Sequence, residues 1–154
     1  TITQQIAEQL IIGQPTNTPE LKLREIIIAA EIAKQYTKQQ ILELYLNQIF
    51  FGNQSYGVEA AAQFYFEHSA NELNLPESAL LAGIIAAPAI YNPVRTGDDT
   101  LTSYNTRRDS AFTRMDFVIN RMQQVGCLTF QQDAQPFCVD SNVVRQATLR
   151  RRAG

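Results

Sequence analysis

Apolar residues in this chain recur at intervals of three and four, and strict alternation is almost absent. That period lines up side chains on one face of a helix and argues against half-buried strands, so the expectation is an all-α fold. Ile2, Ile6 and Leu10 form the first stripe and predict a helix over 3–12, ended by Gly13-Gln14-Pro15. Thr18-Pro19-Glu20 supplies an N-cap with Pro at the first helical position. The helix it opens carries Leu21, Leu23, Ile26, Ile27, Ile28, Ala29, Ala30, Ile32 and Ala33. A helix apolar nearly all round is expected to be central and buried. Thr37-Lys-Gln-Gln40 reads as a capping box for a third helix, with Ile41, Leu42, Leu44, Tyr45 and Ile49 inward and Gly52 as its stop. A turn-rich Asn53-Gln-Ser-Tyr-Gly57 precedes a fourth helix over 58–66. Leu75-Pro76-Glu77 opens a fifth that ends before Pro88. The spacing of Phe112, Met115, Val118, Ile119 and Met122 predicts a long sixth helix over 106–125, stopped by Gly126. Thr129-Phe-Gln-Gln132 is read as the cap of a last short helix broken at Pro136, and the polar segment from Ser141 as mobile.

A length of 154 residues fits one domain, and 45% hydrophobic with 18% charged residues supports a buried core rather than disorder. The longest nearly uninterrupted apolar run, Ala79 to Ile90, falls short of the roughly 20 residues that span a bilayer. No basic, apolar, small-residue leader opens the sequence, which reads as a piece of a longer chain. Charge is uneven: residues 1–94 hold 4 basic and 9 acidic groups, residues 95–154 hold 9 and 6. The basic excess (Arg107, Arg108, Arg114, Arg121, Arg145 and Arg150-Arg151-Arg152) reads as a solvated helix face and a polar tail. No aromatic interleaving or groove-reading motif accompanies it, so nucleic acid is not an expected partner. Cys127 and Cys138 are the only cysteines, and with one His in the chain a zinc site is not expected. They are equally compatible with a disulfide in an oxidising compartment and with two core thiols.

Glu25 is the residue that demands explanation, a charge between Leu23 and Ile26-Ile27-Ile28. Burying it requires a partner, a proton or a wet cleft, and Lys22, three positions earlier, is in reach along the helix. Glu8, Glu43 and Glu59 read as solvated or capping residues, and His68 as surface. There is no nucleophile elbow, phosphate-cradling glycine loop or metalloprotease motif. Gly57-Val-Glu-Ala-Ala-Ala-Gln-Phe-Tyr65 is similar to a helical-repeat segment, but no second copy exists, which leaves a helical interaction module as a reserve reading.

Four segments together resemble one family, in order and at the right spacing. Thr1-Ile-Thr-Gln-Gln-Ile-Ala-Glu-Gln9 resembles the second motif of the peptidoglycan glycosyltransferases, the family 51 domain of class A penicillin-binding proteins and monofunctional transglycosylases. Lys22-Leu-Arg-Glu25 resembles the third. Ile41-Leu-Glu-Leu-Tyr-Leu-Asn-Gln-Ile-Phe-Phe-Gly-Asn-Gln-Ser-Tyr-Gly-Val-Glu-Ala-Ala-Ala-Gln-Phe-Tyr-Phe66 resembles the fourth, the most specific of the set. Leu75-Pro-Glu-Ser-Ala-Leu-Leu-Ala-Gly83 with Pro88 and Tyr91-Asn-Pro93 resembles the fifth. The resemblance implies a lysozyme-like glycosyltransferase lobe, incomplete here, over residues 1–130, followed by a C-terminal extension over 131–154.

It further implies polymerisation of lipid II into glycan strands with inversion, and expulsion of undecaprenyl pyrophosphate. The work is done at the extracytoplasmic face of the bacterial cytoplasmic membrane. Partners are then lipid II, the growing strand and the membrane surface, with a transpeptidase domain in the parent chain. A divalent metal, Mg or Mn, accompanies some members, though no metal-ligating set is evident here. Carried over by position, Glu25 is the catalytic candidate, Thr1, Gln5, Lys22 and Arg24 are substrate-binding candidates, and Asn47, Gly52, Tyr56, Gly57 and Glu59 support the site.

The departures are as specific. The family's first motif, Glu-Asp with a following His, is not in these 154 residues, so the isolated chain is expected to be inactive. Glu8 stands where the family usually has Lys, and Leu21 where it has Arg. A non-catalytic lipid II-binding or scaffold relative is the alternative those changes suggest.

Overall fold

The computed structural model describes residues 1–8, 18–95, 97, 99–128 and 137–138. The last part of the first predicted helix, the Thr129–Gln132 helix, Pro136 and the segment from Ser141 lie outside them. The chain forms two compact units, Thr1–Ile49 and Phe50–Gly154.

The first unit holds α1 (Ile2–Ile6), α2 (Pro19–Gln35) and α3 (Lys38–Gln48), each packed against the other two. Both expected starts are present. Thr18 Oγ1 accepts from Leu21 N ahead of Pro19, and Thr37 and Gln40 form a reciprocal capping box. The core gathers Ile6, Ala7, Glu25, Ala29, Ile41, Tyr45 and Ile49. α3 ends at Gln48, before the expected stop at Gly52, and Leu42 stays exposed.

The larger surprise is α2, which is not the buried central helix its composition suggests. Leu23, Ile26 and Ile27 are 59%, 49% and 55% exposed, while Glu25 and Ala29 are its buried residues. A helix buries only what its neighbours cover. Among the described residues, α1 and α3 pack on the stripe of α2 that carries Glu25 and Ala29, and the stripe with Leu23, Ile26 and Ile27 stays exposed.

The second unit holds α4 (Val58–Phe66), a 3-10 turn at Ala70–Glu72, α5 (Leu75–Ile84), α6 (Leu101–Val125) and two short strands, β1 (Cys127–Leu128) and β2 (Phe137–Cys138). Its core is Phe51, Ala61, Ala62, Ala79, Leu80, Leu81, Ile84, Ala111, Met115 and Ile119. α5 packs along α6 with Gly83 at the close approach, where a Cβ would lie 3.1 Å from Arg114 Cγ. α6 begins five residues before the expected start, capped by Thr100. Asp99 holds this first stretch by receiving the Arg107 guanidinium, which also donates to Val94 O at 3.2 Å. Arg114 lies 4.8 Å from the Phe117 ring centroid and 6.0 Å from that of Tyr91. Two of the arginines expected on a solvated face are thus engaged inside the unit. Gly126, at φ +79°, separates α6 from β1, which pairs antiparallel with β2, an element absent from the all-α expectation.

Candidate functional site

Thr18 and Pro19 fix where α2 begins, and therefore which face the next two turns present. Lys22 and Glu25, three apart, meet on that face. Lys22 Nζ donates to both carboxylate oxygens of Glu25, at 2.8 Å and 2.6 Å. The two side chains are 52% and 1% exposed, so negative charge is placed inside and positive charge at the rim. Of the pair, Glu25 is the enclosed member and Lys22 the one that solvent reaches. An ammonium has three N–H donors; two go to Glu25, and among the described residues the third has no acceptor. The arrangement is a held cation, and its chemical capacity is to bind an anion.

The other expected residues of the first unit differ in exposure and in partners. Thr1 caps α1, its Oγ1 accepting from Gln4 N at 3.2 Å, and Gln5 is exposed. Arg24 is exposed and forms no ion pair among the described residues. Leu21 and Glu8, at the two positions where the resemblance calls for bases, are both half-buried. Asn47 sits exposed in the last turn of α3.

Gly52, Tyr56, Gly57 and Glu59 belong to the second unit, where they build a turn. Gly52 has φ +87°, and a Cβ there would lie 3.3 Å from both Pro88 Cβ and the Tyr65 hydroxyl. Ser55 N donates to Gly52 O and Phe51 N to Ser55 O, closing the turn. The Tyr56 ring rests 4.8 Å from that of Phe50. Gly57, at φ +84°, is the N-cap of α4. Glu59 accepts from Ala70 N at 2.8 Å, from Ser69 Oγ and from Gln63 Nε2, and these bonds, Ala70 first, lower its pKa. Its role here is to clamp the 3-10 turn to α4.

Three residues were missed by the sequence reading. Asn53 Nδ2 donates to Asn92 Oδ1 and Asn92 Nδ2 donates to Asn53 Oδ1, each at 3.2 Å. Asn53 also donates to the Tyr65 hydroxyl, which donates to Phe51 O at 2.8 Å. Asn92 Oδ1 accepts from Val94 N as well. The available signal was an Asn after Gly at one turn and an Asn before Pro at another. His68, expected on the surface, is half-buried, with Nδ1 at 3.1 Å from Ser69 O and Nε2 at 3.3 Å from Glu77 Oε2.

A hard divalent metal needs several oxygen ligands. Among the described residues no three His, Cys, Asp or Glu side chains converge, and both oxygens of Glu25 already accept from Lys22. The described residues do not by themselves make a metal site.

Comparison with known proteins covers almost the whole chain. The family model described as Transglycosylase matches residues 1–123. Penicillin-binding protein 1A of Rickettsia felis is 42% identical over 99% of this chain and 17% of its own length. Penicillin-binding protein 1A of Aquifex aeolicus is 43% identical over 86% of this chain and 16% of its own length. This chain therefore spans about a sixth of those relatives. A crystal structure of penicillin-binding protein 1A from Haemophilus influenzae is 33% identical, covering 79% of this chain and 19% of that one with a TM-score of 0.46. With four motifs in register and a matched stretch that contains the Lys22–Glu25 pair, the chain belongs to the transglycosylase family.

Proposed function

We propose that this chain is the leaving-group side of a peptidoglycan glycosyltransferase domain. The parent would polymerise lipid II into glycan strands and release undecaprenyl pyrophosphate at the outer face of the bacterial cytoplasmic membrane. The observation that carries the proposal is the Lys22 ammonium held by buried Glu25 inside the family-matched stretch. In the reaction, the 4-hydroxyl of the acceptor sugar forms a bond to the donor's anomeric carbon from the face opposite the pyrophosphate. The anomeric carbon–oxygen bond breaks, and its electron pair leaves with the pyrophosphate. A general base takes the hydroxyl proton, and the glutamate that the resemblance assigns to that step is not among residues 1–154. Lys22 would meet the charge growing on the departing phosphate. A cation already in place needs no reorganisation at that moment. Glu25 is then a positioning residue that holds the Lys22 ammonium in place.

The test is lipid II polymerisation by the full-length parent. Lys22→Met and Glu25→Gln should each lower turnover by about 10²–10³, the usual cost of one charge-stabilising contact. Full turnover in both variants would make the pair a structural ion pair only. A parent that binds lipid II without polymerising it would favour the scaffold alternative, which draws on the acidic Glu8 and apolar Leu21 where the resemblance expects bases. The 154-residue chain alone is expected to make no glycan strands.

A further inference from the structure

The two cysteines of the chain lie on one rung of the β1–β2 ladder, Cys127 opposite Cys138 and Leu128 opposite Phe137. Directly opposed residues in an antiparallel pair have Cα atoms about 4.5 or 5.5 Å apart, depending on the rung. A disulfide needs Cα atoms about 4.4–6.8 Å apart, a window that holds both spacings. The rung stands just after the positive-φ Gly126 that ends α6, and beyond residue 123, where the family match stops.

We propose that Cys127 and Cys138 form an intramolecular disulfide that locks the hairpin on which α6 ends. The step is thiol–disulfide exchange with a disulfide donor, either a small-molecule disulfide or a disulfide-carrying oxidoreductase. One cysteine thiolate attacks the donor and releases one donor thiol, leaving a mixed disulfide on the protein. The second cysteine thiolate attacks the protein-side sulfur and releases the second donor thiol. Two electrons pass to the donor, and the two cysteine protons end on its thiols. The register alone carries the pairing. The compartment that would supply the donor rests on the outer-face reading given above, since disulfides persist in oxidising compartments.

The experiment uses the 154-residue chain in a buffer of oxidised and reduced glutathione, quenched with acid, treated with N-ethylmaleimide and weighed. The expected product has lost both free thiols: it is two hydrogens lighter than the reduced chain and takes up no maleimide. Asp133 is the sole acidic residue between the cysteines, so cleavage there by an aspartate-directed protease should leave the two pieces joined until reductant is added. Cys127→Ser in the same buffer should carry one glutathione or one maleimide. Two maleimides, two glutathiones or a cross-linked dimer on the unmodified sequence would overturn the proposal. The same trapping on the parent protein in intact cells separates the two claims. If the pair oxidises in the purified chain but stays reduced in cells, the outer-face reading falls and the pairing stands.

Discussion

Removing Lys22 and removing Glu25 should have unequal effects on stability, because one side chain is half exposed and the other is not. Lys22→Met strips the ammonium from a carboxylate that is 1% exposed, and breaking a buried pair in that way costs about 3 kcal/mol. Glu25→Gln leaves an ammonium that water can solvate, so the expected loss is below about 1 kcal/mol. Urea unfolding of the two variants checks the order, and a larger loss for Glu25→Gln would contradict it. His68 offers a second test, in pH. The Ser69 carbonyl, and after it Glu77, raise its pKa above 6.5. A raised folded-state pKa adds stability that is complete below the unfolded value of 6.5 and is lost as pH rises through the folded value. The gap in Tm between the native chain and His68→Phe should therefore be wider at about pH 5 than at about pH 9. An equal gap at both would mean that the ring contributes packing alone.

Helix ends were more legible than helix faces. Thr18 with Pro19, Thr37 with Gln40, and Gly126 each mark a boundary through local chemistry that the structure uses as read. The face of α2 was not legible, because apolar residues all around a helix point in no direction, and which stripe is covered is settled by how α1 and α3 pack on it. The start of α6 was hidden because Leu101 to Asn105 lacks an apolar period, and the Arg107–Asp99 pair that steadies it is a contact between side chains eight positions apart. The hairpin was hidden because strands of two residues have no period to read. These faces make two expectations. Ile27→Gln should change stability by no more than about 0.5 kcal/mol, as exposed positions do. Gly83→Val, where even a Cβ meets Arg114 at 3.1 Å, should cost about 1–3 kcal/mol through overpacking. Thermal melts of both variants decide, and a large loss at Ile27 would show that this face of α2 is covered in solution.

Across the whole chain, the part of the site lying within one helix was readable and the part joining distant segments was not. Lys22 and Glu25 are three residues apart, so spacing alone suggested their pairing. Asn53 and Asn92 are 39 residues apart, and no periodicity points from one to the other. The same separation governs time. Contacts that close long stretches of chain must first overcome the entropy of bringing their ends together, and tend to form after local helices have docked. The reciprocal amide pair should then be absent from the folding transition state. Asn92→Ala leaves Val94 N and the Asn53 amide without their partner and should cost about 2 kcal/mol. If the pair forms late, that loss falls on unfolding, which speeds up about 30-fold while refolding changes less than about twofold. Stopped-flow rates in both directions would measure it. Refolding slowed in proportion would instead place the Asn53–Asn92 pair among the first contacts made. In kinetic terms, the pair would set how long the turn stays shut rather than how quickly it is found.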